Sequence, residues 1–170
     1  MIPTGDWTRI SGVLVADGEI MLIRRVRDGE RYFTLPGGHL ENGDSHTDTL
    51  VREFAEETEH KVEVGRLLYR VEVRGRETAR LPAKEYIYMC TLACEKTMPR
   101  LCEGPERAYG GVRNLFEPRW VTVSELSHKP LLSRVVKDWL IYDLERGFQN
   151  IEQDLFIELD SRVQPVSLEE

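Results

Sequence analysis

Cysteine is scarce in this 170-residue sequence: Cys90, Cys94 and Cys102, an odd number with no CxxC pair. That argues against a disulfide-stapled scaffold and a thiolate zinc site, and makes reduced thiols in a cytoplasmic protein the expectation. No apolar run approaches the roughly 18 residues that suggest a membrane span. The first ten residues carry no basic start followed by an apolar stretch, so no secretory signal is expected. Positive charge is also in deficit, with 23 Lys plus Arg against 30 Asp plus Glu and a formal net charge of −7. A surface of that sign does not bind nucleic acid generically. It also repels a polyanionic small molecule unless a local cation offsets the field. Repeats and low-complexity blocks are absent.

What remains is ordinary globular composition, 41% hydrophobic and 31% charged. The length suits one domain over residues 1–170, with a core at about 8–147 and a C-terminal extension at 148–170. Residues 8–15 and 20–26 read as strands of a hairpin turned at Asp17-Gly18. A short strand at 32–35 ends at Pro36-Gly37-Gly38. From Asp44 the period changes. Leu50, Phe54 and Thr58, with Thr47 and Val51 beside them, predict a helix that Asp44 or Ser45 caps. Residues 62–73 and 85–94 read as strands. Residues 96–117, with two prolines and three glycines, read as a long loop. A strand at 119–123, a turn or short helix at Glu125-Leu126 and a helix at 131–146 follow. Val135, Trp139 and Tyr142 form the helix's expected stripe and Gly147 its stop. Residues 155–159 could add a last strand.

The first helix concentrates the chemistry. Glu53, Glu56 and Glu57 share one of its edges, on the flank of the Leu50/Phe54 stripe. Like charges so placed disfavour a helix by a few tenths of a kcal/mol per pair, and the dipole near the C-terminus disfavours them further. A Mg²⁺ ion reverses that penalty, because hard dications choose clustered carboxylate oxygens. The preceding Gly37-Gly38 fits the same picture, since a residue without Cβ lets a backbone carbonyl approach an ion.

Gly38, Asp44, Arg52, Glu53, Phe54, Glu56 and Glu57 stand in a spacing that resembles the Nudix box of the Nudix (MutT-like) hydrolases. Asp44 replaces the pattern's first Glu, Glu59 its last Gly, and His60 an aliphatic residue. The opening hairpin, the Leu35-Pro36-Gly37-Gly38 approach and Trp120-Val121 before Glu125-Leu126 extend the resemblance over residues 9–144. It implies an α/β (α+β) fold, an α/β/α sandwich with a mixed β-sheet between helices. The implied activity is Mg²⁺-dependent hydrolysis of the pyrophosphate bond in a nucleoside diphosphate linked to another moiety, with Mn²⁺ as a substitute ion. Resemblance and chemistry together make Glu53, Glu56, Glu57 and the Gly37 carbonyl the candidate metal ligands, and Arg52 the residue that orients a carboxylate. A pair of subunits is a common arrangement in the family.

Several roles stay open. The general base is Glu53 or an acid of the long loop, Glu103, Glu106 or Glu117. Arg24 and Arg25, with Gly38, are candidates for the substrate phosphates, and strand alternation sends the two arginines to opposite faces. Tyr32, Phe33, Tyr86 and Tyr88 are candidates to stack on a base or to fill the core. Arg66, Arg70, Arg74, Arg76 and Arg80 form a solvated basic face, a dimer surface or a phosphate entrance. Two other readings compete with the hydrolase. One is a Nudix-like domain that binds a nucleotide in a regulatory role without cleaving it. The other is an isomerase of isoprenoid diphosphates, for which no acid/base residue is identifiable.

Overall fold

The computed structural model describes residues 7–27, 29–75, 82–99, 115–149 and 152–159. Strands β1 (Thr8–Ala16) and β2 (Glu19–Arg27) form the expected hairpin, with both turn residues at positive φ, Asp17 at 53° and Gly18 at 76°. That is the mirror-image turn whose twist matches a two-residue hairpin. β3 (Glu30–Thr34), β4 (Gly37–His39), β5 (Val62–Gly75), β6 (Lys84–Leu92), β7 (Leu115–Thr122) and β8 (Gln153–Leu159) complete the sheet. The helices are α1 (His46–Thr58) and α2 (Arg134–Arg146), with a 3₁₀ turn at Val123–His128.

The sheet runs β3-β2-β1-β6-β5-β8, with β4 paired to β1 and β7 to β2. The β1/β6 and β5/β8 pairs are parallel and the others antiparallel, so the sheet is mixed as expected. One face buries Ile10, Leu14, Met21 and Cys90 with Leu50 and Phe54 of α1. The opposite face buries Val13, Ile20, Leu22, Ile87 and Leu155 with Val136 and Leu140 of α2. Strands covered on both sides lose the polar alternation of a half-solvated strand, which is why β1 and β2 read as apolar runs.

The site owes its place to a split in this sheet. β1 pairs with β2 only at Val15↔Ile20 and Ala16↔Glu19. At its other end it pairs with β4, from Arg9↔His39 to Ser11↔Gly37. The chain at 35–39 therefore fills the space between the diverging strands, and α1 packs over it.

Several expectations are corrected. Gly37-Gly38 does not merely end a strand but begins β4, because β1 supplies the pairing that the residues themselves do not favour. β7 starts at Leu115, so Glu117 lies on a strand and not in a loop. In α1 Thr49 is buried and Val51 exposed, reversing the flanks of the stripe. In α2 the buried positions are Val136, Leu140 and Asp143, one residue on from the expected stripe, and Tyr142 is exposed. Asp143 can be buried because the Tyr69 hydroxyl donates to its Oδ2 at 2.6 Å.

Candidate active site

Helix α1 begins where Ser45 Oγ accepts the Asp48 N–H at 3.0 Å, so Ser45 is the cap and Asp44 lies one residue outside. It ends at Glu59, whose φ of 57° and ψ of 19° are left-handed, with its N–H donating to the Ala55 carbonyl. A glutamate there costs about 1 kcal/mol relative to glycine. Between these ends Leu50, Phe54 and Thr58 are buried, which turns Glu53 and Glu57 toward β4.

Glu57 is the most deeply set acid of the helix edge. Its Oε2 accepts the Gly37 N–H at 2.9 Å. Burial pushes its carboxyl up to about 8, against the opposing pull of Arg9 and the Gly37 N–H. Glu53 is also raised by burial, against the lowering effect of Arg52. Its carboxylate lies on the Cα of Gly38, where an added Cβ would fall 2.2 Å from Cδ and Oε1. Gly37 is constrained on the other side. Its φ is 150°, and a Cβ there would meet the Ile10 carbonyl oxygen at 2.1 Å. Both glycines thus have steric reasons to be glycine, one against β1 and one against Glu53.

Arg52 links the acids. Its Nη1 donates to Glu53 Oε1 at 2.9 Å and stands 3.7 Å from Oε2 of the exposed Glu56. Its Nη2 is buried without a hydrogen bond, 3.9 Å from Asp44 Oδ2. A glutamate at 44 would reach further by one methylene. His60, the other departure, is fully buried and satisfied. Its Nδ1 contacts the Thr58 carbonyl at 2.7 Å, and its Nε2 takes the Thr97 N–H at 3.3 Å.

The remaining candidates separate. Arg24 and Arg25 take opposite faces. Arg24 Nη1 donates to Glu117 Oε2 at 3.0 Å, and Arg119 Nη2 donates to Oε1 of the same acid at 2.8 Å. Hydrogen bonds from Arg119 and Arg24 hold the Glu117 carboxyl below its ordinary value. Arg25 stacks on the Phe116 ring at 4.8 Å, and its charge acts on Glu57. Glu103 and Glu106 lie outside the described residues, as do Cys102, Arg76 and Arg80. Phe33 packs into the α2-side core, and Tyr86 and Tyr88 contact His46. Arg70 pairs with Glu152 and Asp154, and Arg74 with Glu72.

Sequence reading missed Arg9, Ser11 and Glu85. Arg9 Nε donates to Ser11 Oγ at 3.1 Å, and that hydroxyl donates to Glu85 Oε1 at 2.5 Å. Burial raises the Glu85 carboxyl, against Arg9 and Ser11. The available signal was polar residues at alternate positions of an otherwise apolar strand.

Among the described residues no three metal-binding side chains converge on one point. Glu53 faces Arg52, Glu57 faces the Gly37 N–H, and Glu56 is turned to solvent. The donor chemistry nonetheless fits a hard divalent cation. Two half-buried carboxylates sit one helical turn apart beside a chain segment without Cβ atoms, the hard oxygen donors that a dication takes.

A family model of the NUDIX domain matches residues 7–140. Solved structures share the fold at low identity. A NUDIX hydrolase from Nitrosomonas europaea is 18% identical with a TM-score of 0.68, over 92% of this chain and 81% of that one. An ADP-ribose pyrophosphatase from Streptococcus suis is 18% identical with a TM-score of 0.58, over 89% and 99%. A UDP-X diphosphatase is 21% identical with a TM-score of 0.57, over 90% and 68%. No helix among the described residues is long and apolar enough to cross a membrane. The domain match spans most of the chain and takes in the whole glycine-to-acid segment, so this protein belongs to the Nudix hydrolase family.

Proposed function

We propose that this protein hydrolyses the pyrophosphate bond of a nucleoside diphosphate linked to another moiety, with Mg²⁺ as its ion and Mn²⁺ as a substitute. The observation that carries the reading is the geometry of one helix edge, where half-buried Glu57 accepts the Gly37 N–H at 2.9 Å and the Glu53 carboxylate lies on the Cα of Gly38. A divalent cation between two such carboxyls would favour their charged forms against the desolvation that disfavours them. The names of two structural neighbours, an ADP-ribose pyrophosphatase and a UDP-X diphosphatase, accord with that substrate class.

Glu53, Glu57 and the Gly37 carbonyl would hold the ion, with Glu56 joining from the solvent side. When bound, the ion supplies Lewis-acid stabilisation of charge on the attacking and leaving oxygens of the diphosphate. The chain's own residues do the rest. Arg52 fixes the rotamer of Glu53 through its 2.9 Å bond. Glu53, held by Arg52 at the same edge, is the acid we assign to take the proton of the attacking water. Glu117 is a weaker base than a free carboxylate because two guanidiniums hold its charge. Arg25, on the Glu57 side of β2, receives a substrate phosphate. Arg24 is committed to Glu117 on the other face.

A panel of nucleoside diphosphate conjugates, assayed for phosphate after phosphatase treatment with and without Mg²⁺, tests the reading. Release is expected from at least one conjugate, only with the ion. Glu57→Gln should lower it by at least about a thousandfold, since a ligand and its charge are lost together. Binding without release across the whole panel would instead identify a nucleotide-binding module.

A further inference from the structure

We propose that Arg9 is a positioning residue that holds the corner at residues 35–37 under the acidic site. The proposal rests on the reading that Glu53 and Glu57 bind a divalent cation. Each residue of the corner has a main-chain group tied to a different partner. The Leu35 carbonyl accepts from Arg9 Nη2 at 3.1 Å. The Pro36 carbonyl accepts from the Gly12 N–H at 3.0 Å. The Gly37 N–H donates to Glu57 Oε2 at 2.9 Å. The middle tie is main chain to main chain and the last is to a site carboxylate, so Arg9 supplies the side-chain tie from β1, while its charge also acts on Glu57 and Glu53.

Arg9 is itself clamped. Its Nε donates to Ser11 Oγ, which donates to Glu85 Oε1, and the same Nε stands 3.6 Å from that oxygen. Ser11 also touches the corner, since a Cβ on Gly37 would lie 2.9 Å from Ser11 Oγ. The fork of a guanidinium serves two acceptors in fixed directions at once. A lysine ammonium on a flexible stem does not hold that geometry. Without the tie the corner keeps only its main-chain bonds to β1, and the Leu35 end is loosened, which shifts the Gly37 N–H against Glu57 and the Gly38 Cα against Glu53.

Arg9→Met, Arg9→Lys and Ser11→Ala in the full chain test the role, read by electron paramagnetic resonance of free Mn²⁺ without substrate and by thermal unfolding without metal. Both Arg9 variants are expected to weaken Mn²⁺ binding about tenfold or more, the usual effect of losing an outer-shell partner. Ser11→Ala should weaken it less, and kcat should fall more than KM rises. Full rescue by Arg9→Lys would mean that charge alone matters and would overturn the brace. So would wild-type Mn²⁺ affinity in all three variants, whatever happens to their melting temperatures. If the wild-type chain binds no Mn²⁺, the cation site fails and this proposal with it. If the wild type binds and the variants bind equally well, only the role of Arg9 fails.

Discussion

Gly38 and Asp44 show how single atoms set the acidic site. The backbone at Gly38 is not left-handed, so alanine meets no conformational penalty there. Its Cβ would nevertheless land 2.2 Å from the Glu53 carboxylate, which must swing away. Gly38→Ala should therefore cost little stability, under about 1 kcal/mol, because the far end of a flexible side chain yields. Activity should fall about a hundredfold, the scale of a 1 Å misplacement of a reacting group. A variant that melts like the wild type and turns over like it would contradict the contact. Asp44 presents the opposite situation, a side chain too short by one methylene. The 3.9 Å gap to the buried, unbonded Arg52 Nη2 should close in Asp44→Glu. Both groups are about a third exposed, which limits the gain to roughly 0.5–1 kcal/mol. Differential scanning calorimetry should register this as a rise of about 1–4 °C.

The helix that carries these residues is bounded by one favourable end and one strained end. Ser45→Ala removes the acceptor for the Asp48 N–H and should destabilise the protein by about 1 kcal/mol. Glu59→Gly should stabilise it by about the same amount, because glycine adopts the 57° φ at C′ freely. Urea midpoints of the two variants, shifted in opposite directions with unchanged m, would establish both effects. Elements of this kind were legible in the sequence because their signals are local. Asp17-Gly18 marked its hairpin, the four-residue spacing of Leu50, Phe54 and Thr58 marked α1, and Gly147 stopped α2 in the left-handed conformation expected of it. What was not legible depends on distant partners. β4 is Gly-Gly-His, a strand only because β1 lies beside it. The start of β7 was obscured by Pro118, which the strand tolerates where β2 is its only described neighbour. The site divides in the same way. Its acids were readable because one helix carries them, whereas Arg9 and Glu85 meet only through the parallel pairing of β1 with β6.

Taken over the whole molecule, the acidic site opposes folding whenever no cation is present. The chain already carries a net charge of −7, and Glu57 must give up its hydration on folding. Its carboxyl titrates near 4.5 when unhindered and near 8 in the fold. Between those values the unfolded chain has released a proton that the folded chain retains. This group's contribution to metal-free stability then falls as pH rises from about 4.5 to about 8, by at most about 1.4 kcal/mol per pH unit, while His46, lowered by burial, acts in the opposite sense. Glu53 and Glu85, also raised by burial, act in the same sense. Glu117, held low by its two arginines, contributes stability that is lost only as pH drops into the acid range. A cation that binds the ionised carboxylates in the fold reverses the main trend and releases protons as it binds. At a hundred times its dissociation constant it should add about 2.7 kcal/mol, and at a fixed ion concentration the increment should grow with pH across the window as the ion binds more tightly. Melting curves from pH 5 to pH 9, recorded in chelator and again with excess Mg²⁺, measure both effects. A chelated protein whose melting temperature holds level or climbs from pH 5 to pH 8 would show that these carboxyls keep their charge in the fold without help. The acidic edge of α1 would then be no more than a solvated surface.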